Sequence, residues 1–202
     1  MQPDYIVGID EVGRGPLAGP IVLCALAINT TRFNLDVLGR VPDSKKMSVK
    51  KREEWVKKID DLKSKDVLDY GLSFVSNGVI DRIGITTACK IAISRCLSKI
   101  KRSDVFGFIA FDHENAQILL DGGLRAPKKF TNQRTIIRGD ESETVIALAS
   151  IVAKVARDAH MVRVSGRYPE YGFDRHKGYG TRSHYLALVK YGPTPIHRKT
   201  FL

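Results

Sequence analysis

Asp10 and Glu11 stand side by side where the apolar run Tyr5 to Ile9 ends, directly before Gly13, Arg14 and Gly15. Adjacent carboxyls at the end of a buried strand carry a desolvation and repulsion cost unless positive charge neutralises them. A hard divalent cation, Mg2+ or Mn2+, meets that need, since it selects carboxylate oxygens and leaves coordination positions for phosphate. Elsewhere, Asp121 closes Leu119-Leu120 ahead of Gly122, and Asp140 follows Arg138-Gly139. Asp112, after the run Phe106 to Phe111, closes an apolar run as Asp121 does.

Each acid taken singly has a plainer reading. The Asp10-Glu11 pair fits a solvated turn, and Asp121-Gly122 fits a turn in which the side chain bonds its own backbone. Asp140 and Glu143 have the spacing of a cap at the front of a helix. Asp158, beside Arg157 within an apolar-periodic stretch, reads as a structural or supporting acid. Nucleophilic catalysis has no support, because no Ser/His/Asp set occurs in a suitable context. His113, His160, His176, His184 and His197 lack metal-binding spacing and are expected on the surface or in packing.

Around the acids, Gly13 and Gly15 allow backbone amides to approach a nucleic-acid backbone, and Arg14 offers a fork to phosphate. Lys45 and Lys46, with Lys177, Arg198 and Lys199, are candidate phosphate contacts. Lys50, Lys51, Lys57 and Lys58 read as the wet face of an amphipathic helix.

The elements that must position these residues follow from hydrophobic periodicity. Tyr5 to Asp10 and Ile21 to Ile28 read as strands pairing antiparallel across the Gly-rich connection Gly13 to Pro20. Gly71 to Val75, Ile118 to Leu120 and Thr135 to Ile137 read as later strands. Helical spacing covers Val49 to Leu62, Thr86 to Ile100 and Ser142 to about Val164, and a shorter helix follows Thr181 and closes at Gly192-Pro193. Strands first, then strands separated by helices, predict an α/β fold with a mixed sheet flanked by helices.

The 202 residues fit one domain, with 43% hydrophobic residues to fill its core. The longest apolar run, Ile21 to Ile28, is too short to cross a bilayer, and the expectation is a soluble cytoplasmic protein with no membrane partner. Cys24, Cys89 and Cys96 lie among apolar residues without CxxC spacing and are expected as buried thiols. A net charge of +11 favours a polyanionic partner, nucleic acid before an anionic membrane surface.

The run GIDEVGRGPLAGP, Gly8 to Pro20, closely resembles the signature of the bacterial type 2 ribonucleases H, ribonuclease HII. The resemblance continues in DSKK at Asp43 to Lys46, LLDGG at Leu119 to Gly123, RGD at Arg138 to Asp140 and ASIVAKVARD at Ala149 to Asp158. It closes with HKGYGT at His176 to Thr181 and HRKTF at His197 to Phe201. These motifs span nearly the whole chain in the family's order.

The resemblance implies a ribonuclease H-like fold over residues 1–202, with a helical and basic C-terminal portion from about 181. It also implies four catalytic, metal-holding carboxylates, Asp10, Glu11, Asp121 and Asp140, and prefers Asp121 to Asp112. By this likeness the chain hydrolyses the RNA strand of RNA/DNA hybrids and incises 5′ of ribonucleotides embedded in duplex DNA, by two-metal-ion catalysis with Mg2+ or Mn2+. Substrate binding falls to Gly13, Arg14, Gly15, Lys45, Lys46 and Tyr179. In the family, the Gly-Arg-Gly segment and the Tyr of HKGYGT sense the ribonucleotide 2′-hydroxyl, the group that separates RNA from DNA. The Gly13-Arg14-Gly15 form favours ribonuclease HII over its sister class ribonuclease HIII, and a monomer is expected. The rival reading is a non-catalytic nucleic-acid-binding protein, which would explain the charge without needing the acids.

Overall fold

The computed structural model describes residues 3–100 and 116–202. Its described strands form one five-stranded sheet from β1 (Tyr5–Val12), β2 (Ile21–Asn29), β3 (Leu68–Val75), β4 (Ala116–Asp121) and β5 (Gln133–Ile136), in the order β3-β2-β1-β4-β5. β2 pairs antiparallel with both β1 and β3, while β1–β4 and β4–β5 are parallel. The expected antiparallel pairing of the first two strands is therefore present, within a mixed sheet.

The described helices are α1 (Val49–Ser64), α2 (Asn77–Ile83), α3 (Ile85–Ile100), α4 (Gly139–Ser142), α5 (Thr144–Ser165), α6 (Phe173–His176) and α7 (Arg182–Tyr191). Alternation along the strands divides the core into two layers. Val7, Ile9, Leu23, Ala25 and Ala27 pack with Ile93, Cys96 and Leu97 of α3. Cys24, Leu26 and Ile28 pack with Trp55 and Ile59 of α1 and Val145, Leu148 and Val152 of α5. All nine residues of β2 are buried, as expected of a central strand covered on both faces. Gly8 lets α5 close on the sheet, because a Cβ there would lie 2.3 Å from the Val145 carbonyl oxygen.

Several boundaries differ from those predicted. β3 begins at Leu68 and β4 at Ala116, each extending a run whose outer residues lack strict alternation. β5 ends at Ile136, leaving Ile137 84% exposed beyond the last sheet pair. α2 was not predicted: seven residues between Ser76 and Gly84 are too few for a helical period to emerge. The helix expected from Ser142 is divided, since Glu143 adopts an extended conformation (φ −115°, ψ 114°) between α4 and α5. Glu143 makes no side-chain capping bond, which removes the capping interpretation of Asp140 and Glu143. Asp112 and the run Phe106 to Phe111 lie outside the described residues.

Among the described residues no helix is long and apolar enough to cross a membrane. All three cysteines are buried and free.

Candidate active site

Strand alternation sends the adjacent acids to opposite faces of the sheet. Asp10 shares the face of Ile6 and Gly8, toward α5, whereas Glu11 shares the face of Val7 and Ile9, toward α3. On parallel β4, Asp121 shares the face of Leu119, again toward α5. The last β1–β4 pair is Ile9 with Leu120, so Asp10 and Asp121 are the next residues of neighbouring strands.

The third acid comes from the turn after β5. Arg138 takes a left-handed conformation (φ 55°), and the Gly139 amide donates to Asp121 Oδ1 at 2.7 Å. This bond uses the Asp121 side chain across the sheet end and not within its own Asp-Gly turn. Asp140 follows, buried, with Oδ2 accepting from Lys45 Nζ at 2.8 Å. The result is a group in which Asp10, Asp121 and Asp140 each bring a carboxylate oxygen within 4.8 Å of the others.

Glu11 stands apart from that trio. Its Oε1 lies 3.4 Å from Arg14 Nη1, and its Oε2 is buried with no hydrogen-bond partner. Burial, reinforced by Glu11 and Asp121, pushes the Asp10 carboxyl up to about 8 even though Ser150 and the Glu11 amide hydrogen-bond to it. Burial likewise raises Glu11 to about 7 against the opposing pull of Arg14. The hydrogen bond to Asp140, with the attraction of nearby carboxylates, holds Lys45 above its ordinary range.

These donors suit a hard divalent cation: all are carboxylate oxygens, they repel one another, and a buried Glu11 oxygen is unpartnered. An isolated set of acids this buried is costly in water, and a cation is the group that would relieve it.

Beside the acids, the Gly13–Pro20 connection is held by two fully buried arginines that the sequence did not single out in this role. Arg157 of α5 donates to the carbonyls of Pro20 (3.0 Å) and Ala18 (3.3 Å). Arg198 donates to Gly19 (3.0 Å), Arg14 (2.8 Å) and Gly13 (2.6 Å). Arg198, expected among the phosphate contacts, is thus fully committed to backbone oxygens inside the protein. Gly13 has φ +94°, and a Cβ on it would fall 2.1 Å from Arg157 Nε, so both its conformation and its contact require glycine. Gly15 faces open space. The Tyr179 ring lies over the same Arg157 guanidinium, 5.7 Å from centroid to carbon. Gly13 and Tyr179, 166 residues apart by their numbers, therefore meet on one side chain.

Lys45 contacts Asp140, and Lys46 lies 3.5 Å from Asp43, so each lysine already has an acidic neighbour within the chain. Lys177 Nζ donates to the Asp174 carbonyl. Asp158 accepts from Lys154 at 2.9 Å and lies 3.8 Å from Arg52, a local structural pairing. Three of the histidines pack against one another: His176, His184 and His197 form one connected cluster with Tyr171 and Phe173. His160 packs beside Phe74, and His113 lies outside the described residues. The signal for the cluster was the histidine in each of the two C-terminal motifs, but only the fold brings those motifs together.

A family model for ribonuclease HII matches residues 7–202. Ribonuclease HII of Caldicellulosiruptor bescii is 40% identical over 198 residues, covering 98% of this chain and 86% of its own. That of Clostridioides difficile is 42% identical over 199 residues, covering 98% and 70%. In three dimensions the ribonuclease H2 of Pyrococcus horikoshii superposes with a TM-score of 0.69 at 24% identity, covering 97% of this chain and 93% of that one. That likeness agrees with the ribonuclease H-like mixed sheet flanked by helices. With a family match across almost its entire length and carboxylates gathered at the ends of two parallel strands, the chain belongs to the ribonuclease HII family of ribonuclease H endonucleases.

Proposed function

We propose that this enzyme hydrolyses the RNA strand of RNA/DNA hybrids and incises duplex DNA on the 5′ side of an embedded ribonucleotide. Asp10, Glu11, Asp121 and Asp140 would hold Mg2+ or Mn2+. The observation that carries this is the convergence of Asp10, Asp121 and Asp140 within 4.8 Å of one another. Bound there, divalent ions supply an activated water for in-line attack on phosphorus and charge stabilisation for the departing 3′ oxygen. Bond cleavage leaves a 5′-phosphate and a 3′-hydroxyl.

The chain's own groups do the rest. Asp121 is oriented by the Gly139 amide, Asp140 by Lys45, and Asp10 by Ser150 and the Glu11 amide. Ser150 is itself fixed at 2.8 Å from Ser44 of the DSKK motif. Glu11 extends the carboxylate set toward α3, with its Oε2 available for a ligand. Arg14, about half exposed, offers its guanidinium to a phosphate once Glu11 is otherwise engaged. Gly13, Gly15 and Tyr179 supply the surface that senses the 2′-hydroxyl, while Lys45 and Lys46 flank the phosphate path. We place the enzyme in the cytoplasm as a monomer, its residues 1–202 acting as a single catalytic domain with nucleic acid as its partner.

The decisive assay offers a DNA duplex with one ribonucleotide beside all-DNA duplex and an RNA/DNA hybrid, each with Mg2+ and, separately, Mn2+. Incision 5′ of the ribonucleotide, cutting of the hybrid, an intact all-DNA control and loss of both activities in Asp10→Asn are expected. Equal cutting of the all-DNA duplex would overturn the substrate assignment, and intact substrates throughout would overturn the catalytic one.

A further inference from the structure

Three histidine rings near the C-terminus have hydrogen-bond partners that fix where each proton sits. His184 Nδ1 faces the Tyr179 carbonyl oxygen at 2.9 Å, so that nitrogen carries the hydrogen and donates. Its Nε2 is then a lone pair, and it faces His197 Nε2 at 2.9 Å. His197 Nδ1 accepts from the Thr194 amide at 2.8 Å, which leaves its hydrogen on Nε2, directed at His184. One hydrogen per ring satisfies every contact, a chain running from Thr194 through His197 and His184 to Tyr179. His176 stacks on His184 with centroids 4.6 Å apart; its Nδ1 accepts from the Gly178 amide and its Nε2 donates to the Tyr171 carbonyl.

The next residue after His197 serves the other half of the same surface. Arg198 binds the Gly13, Arg14 and Gly19 carbonyls, and His197 itself bridges to Ala18. The Gly178 carbonyl accepts from the Leu17 amide at 2.9 Å, joining the two segments directly. Arg157 lies between them, against Gly13 on one side and under the Tyr179 ring on the other.

We propose that His197 and Arg198 form a joint positioning element for ribonucleotide recognition, with Arg198 setting the Gly13-Arg14 backbone and His197, through His184, setting Tyr179. The proposal rests on the assignment of Tyr179 and the Gly-Arg-Gly segment to 2′-hydroxyl sensing. These residues touch no reacting atom. They align two groups from distant parts of the chain, and misalignment by a fraction of an ångström is felt where a single ribonucleotide must be found within DNA. Burial supports the neutral relay by lowering both rings, His197 to about 4. A protonated pair would direct two N–H groups at each other across 2.9 Å.

The test compares kcat and KM on two substrates, a DNA duplex with one ribonucleotide and a continuous RNA/DNA hybrid, at a temperature where every variant is folded by circular dichroism. His184→Phe keeps a planar aromatic ring, somewhat larger than imidazole, and removes both nitrogens, while His184→Asn retains a donor where Nδ1 stands. His184→Phe should lower kcat on the single-ribonucleotide duplex about tenfold, with hybrid cleavage changed by no more than about twofold, as expected when orientation alone is disturbed. His184→Asn should recover most of that loss. Equal loss on both substrates, or failure of Asn to exceed Phe, overturns the positioning role. Tyr179→Ala separates this from the reading beneath it: an unaltered ratio of the two activities sinks the Tyr179 assignment and the proposal together. A lowered ratio in Tyr179→Ala, beside uniform loss in His184→Phe, sinks the positioning role alone.

Discussion

Two buried polar clusters lie at the same end of the sheet and solve burial in opposite ways. In the carboxylate cluster the repulsion is unresolved: Asp10 and Glu11 are driven to about 8 and 7, and a Glu11 oxygen lacks a partner. In the arginine–histidine cluster five guanidinium bonds end on backbone carbonyls and the histidine contacts are reciprocally matched, although Arg157 Nη1 is buried without a partner. Neither Arg157 nor Arg198 is within ion-pair distance of a carboxylate among the described residues. The contrast separates binding from holding. A site that takes a cation keeps an unmet demand for charge, whereas a site that fixes geometry satisfies most of its groups internally.

The sharpest way to break this contrast is to neutralise one acid. Asp10→Asn should lower cleavage by about a thousandfold or more, the scale on which loss of a metal-holding group acts. The same substitution should stabilise the metal-free protein. Because the folded state holds a proton on Asp10 up to about 8 while the unfolded chain releases it near 3.8, stability falls as pH rises across that window. At pH 8, thermal unfolding in chelator should therefore show Asp10→Asn more stable than the parent by roughly 2 kcal/mol or more. An inactive variant without that gain would mean the acids are not strained in the metal-free state. Adding Mg2+ or Mn2+ should raise the parent's unfolding temperature and leave Asp10→Asn less affected.

The opposite substitution in the second cluster should destabilise. Arg198→Met leaves the carbonyls of Gly13, Arg14 and Gly19 without their donor. Buried acceptors left bare cost about 1–3 kcal/mol each, reduced where water enters, so a loss of about 3 kcal/mol in urea unfolding is expected. A neutral outcome would show that the buried guanidinium contributes no net stability, as some buried charges do not.

Much of this arrangement was legible in the chain because it follows local rules. The alternation of Val7, Ile9 and the run from Ile21 identified the paired central strands, and periodicity in Val145, Leu148, Val152 and Val155 identified α5. Asp121 and Asp140 were nominated by the resemblance to ribonuclease HII and not by local pattern, since each taken singly reads as an ordinary turn or cap. What stayed hidden is long-range: Arg198 meets Gly19 across 179 positions and Lys45 meets Asp140 across 95. No local period encodes such pairs, so Arg198 was expected at a phosphate and not within the fold. The faces of Asp10 and Glu11 could be read from strand period alone, but not which face would receive Asp140, since the break at Glu143 resets the helix that carries it.

Acid titration sharpens the comparison further because the two clusters pull in opposite directions. His197 is neutral in the folded protein down to about 4 and takes a proton near 6.5 when unfolded, so acidification through that window favours the unfolded chain. The loss should reach on the order of 2 kcal/mol. His197→Gln, which keeps a donor but does not titrate, should flatten that part of the stability profile while leaving the carboxylate-dependent decline toward pH 8 in place. An unchanged acid limb would show that His197 is not held neutral by the fold.

The smallest expected effect tests whether Lys45 belongs to the first cluster at all. Its ammonium is 2.8 Å from Asp140 Oδ2, yet its side chain is 71% exposed, so the pair is largely screened and contributes little to stability. Its consequence should appear instead in cation binding. With Lys45 in place, a metal ion must displace or tolerate a positive charge already beside Asp140. Lys45→Met should consequently leave urea unfolding within about 0.5 kcal/mol. It should tighten Mg2+ binding measured by calorimetry about two- to fivefold, while weakening the KM for nucleic acid by a similar factor through loss of a phosphate contact. Tighter metal binding with an unchanged KM would assign Lys45 wholly to Asp140, and weaker metal binding would mean that the lysine orients the carboxylate more than it competes for it.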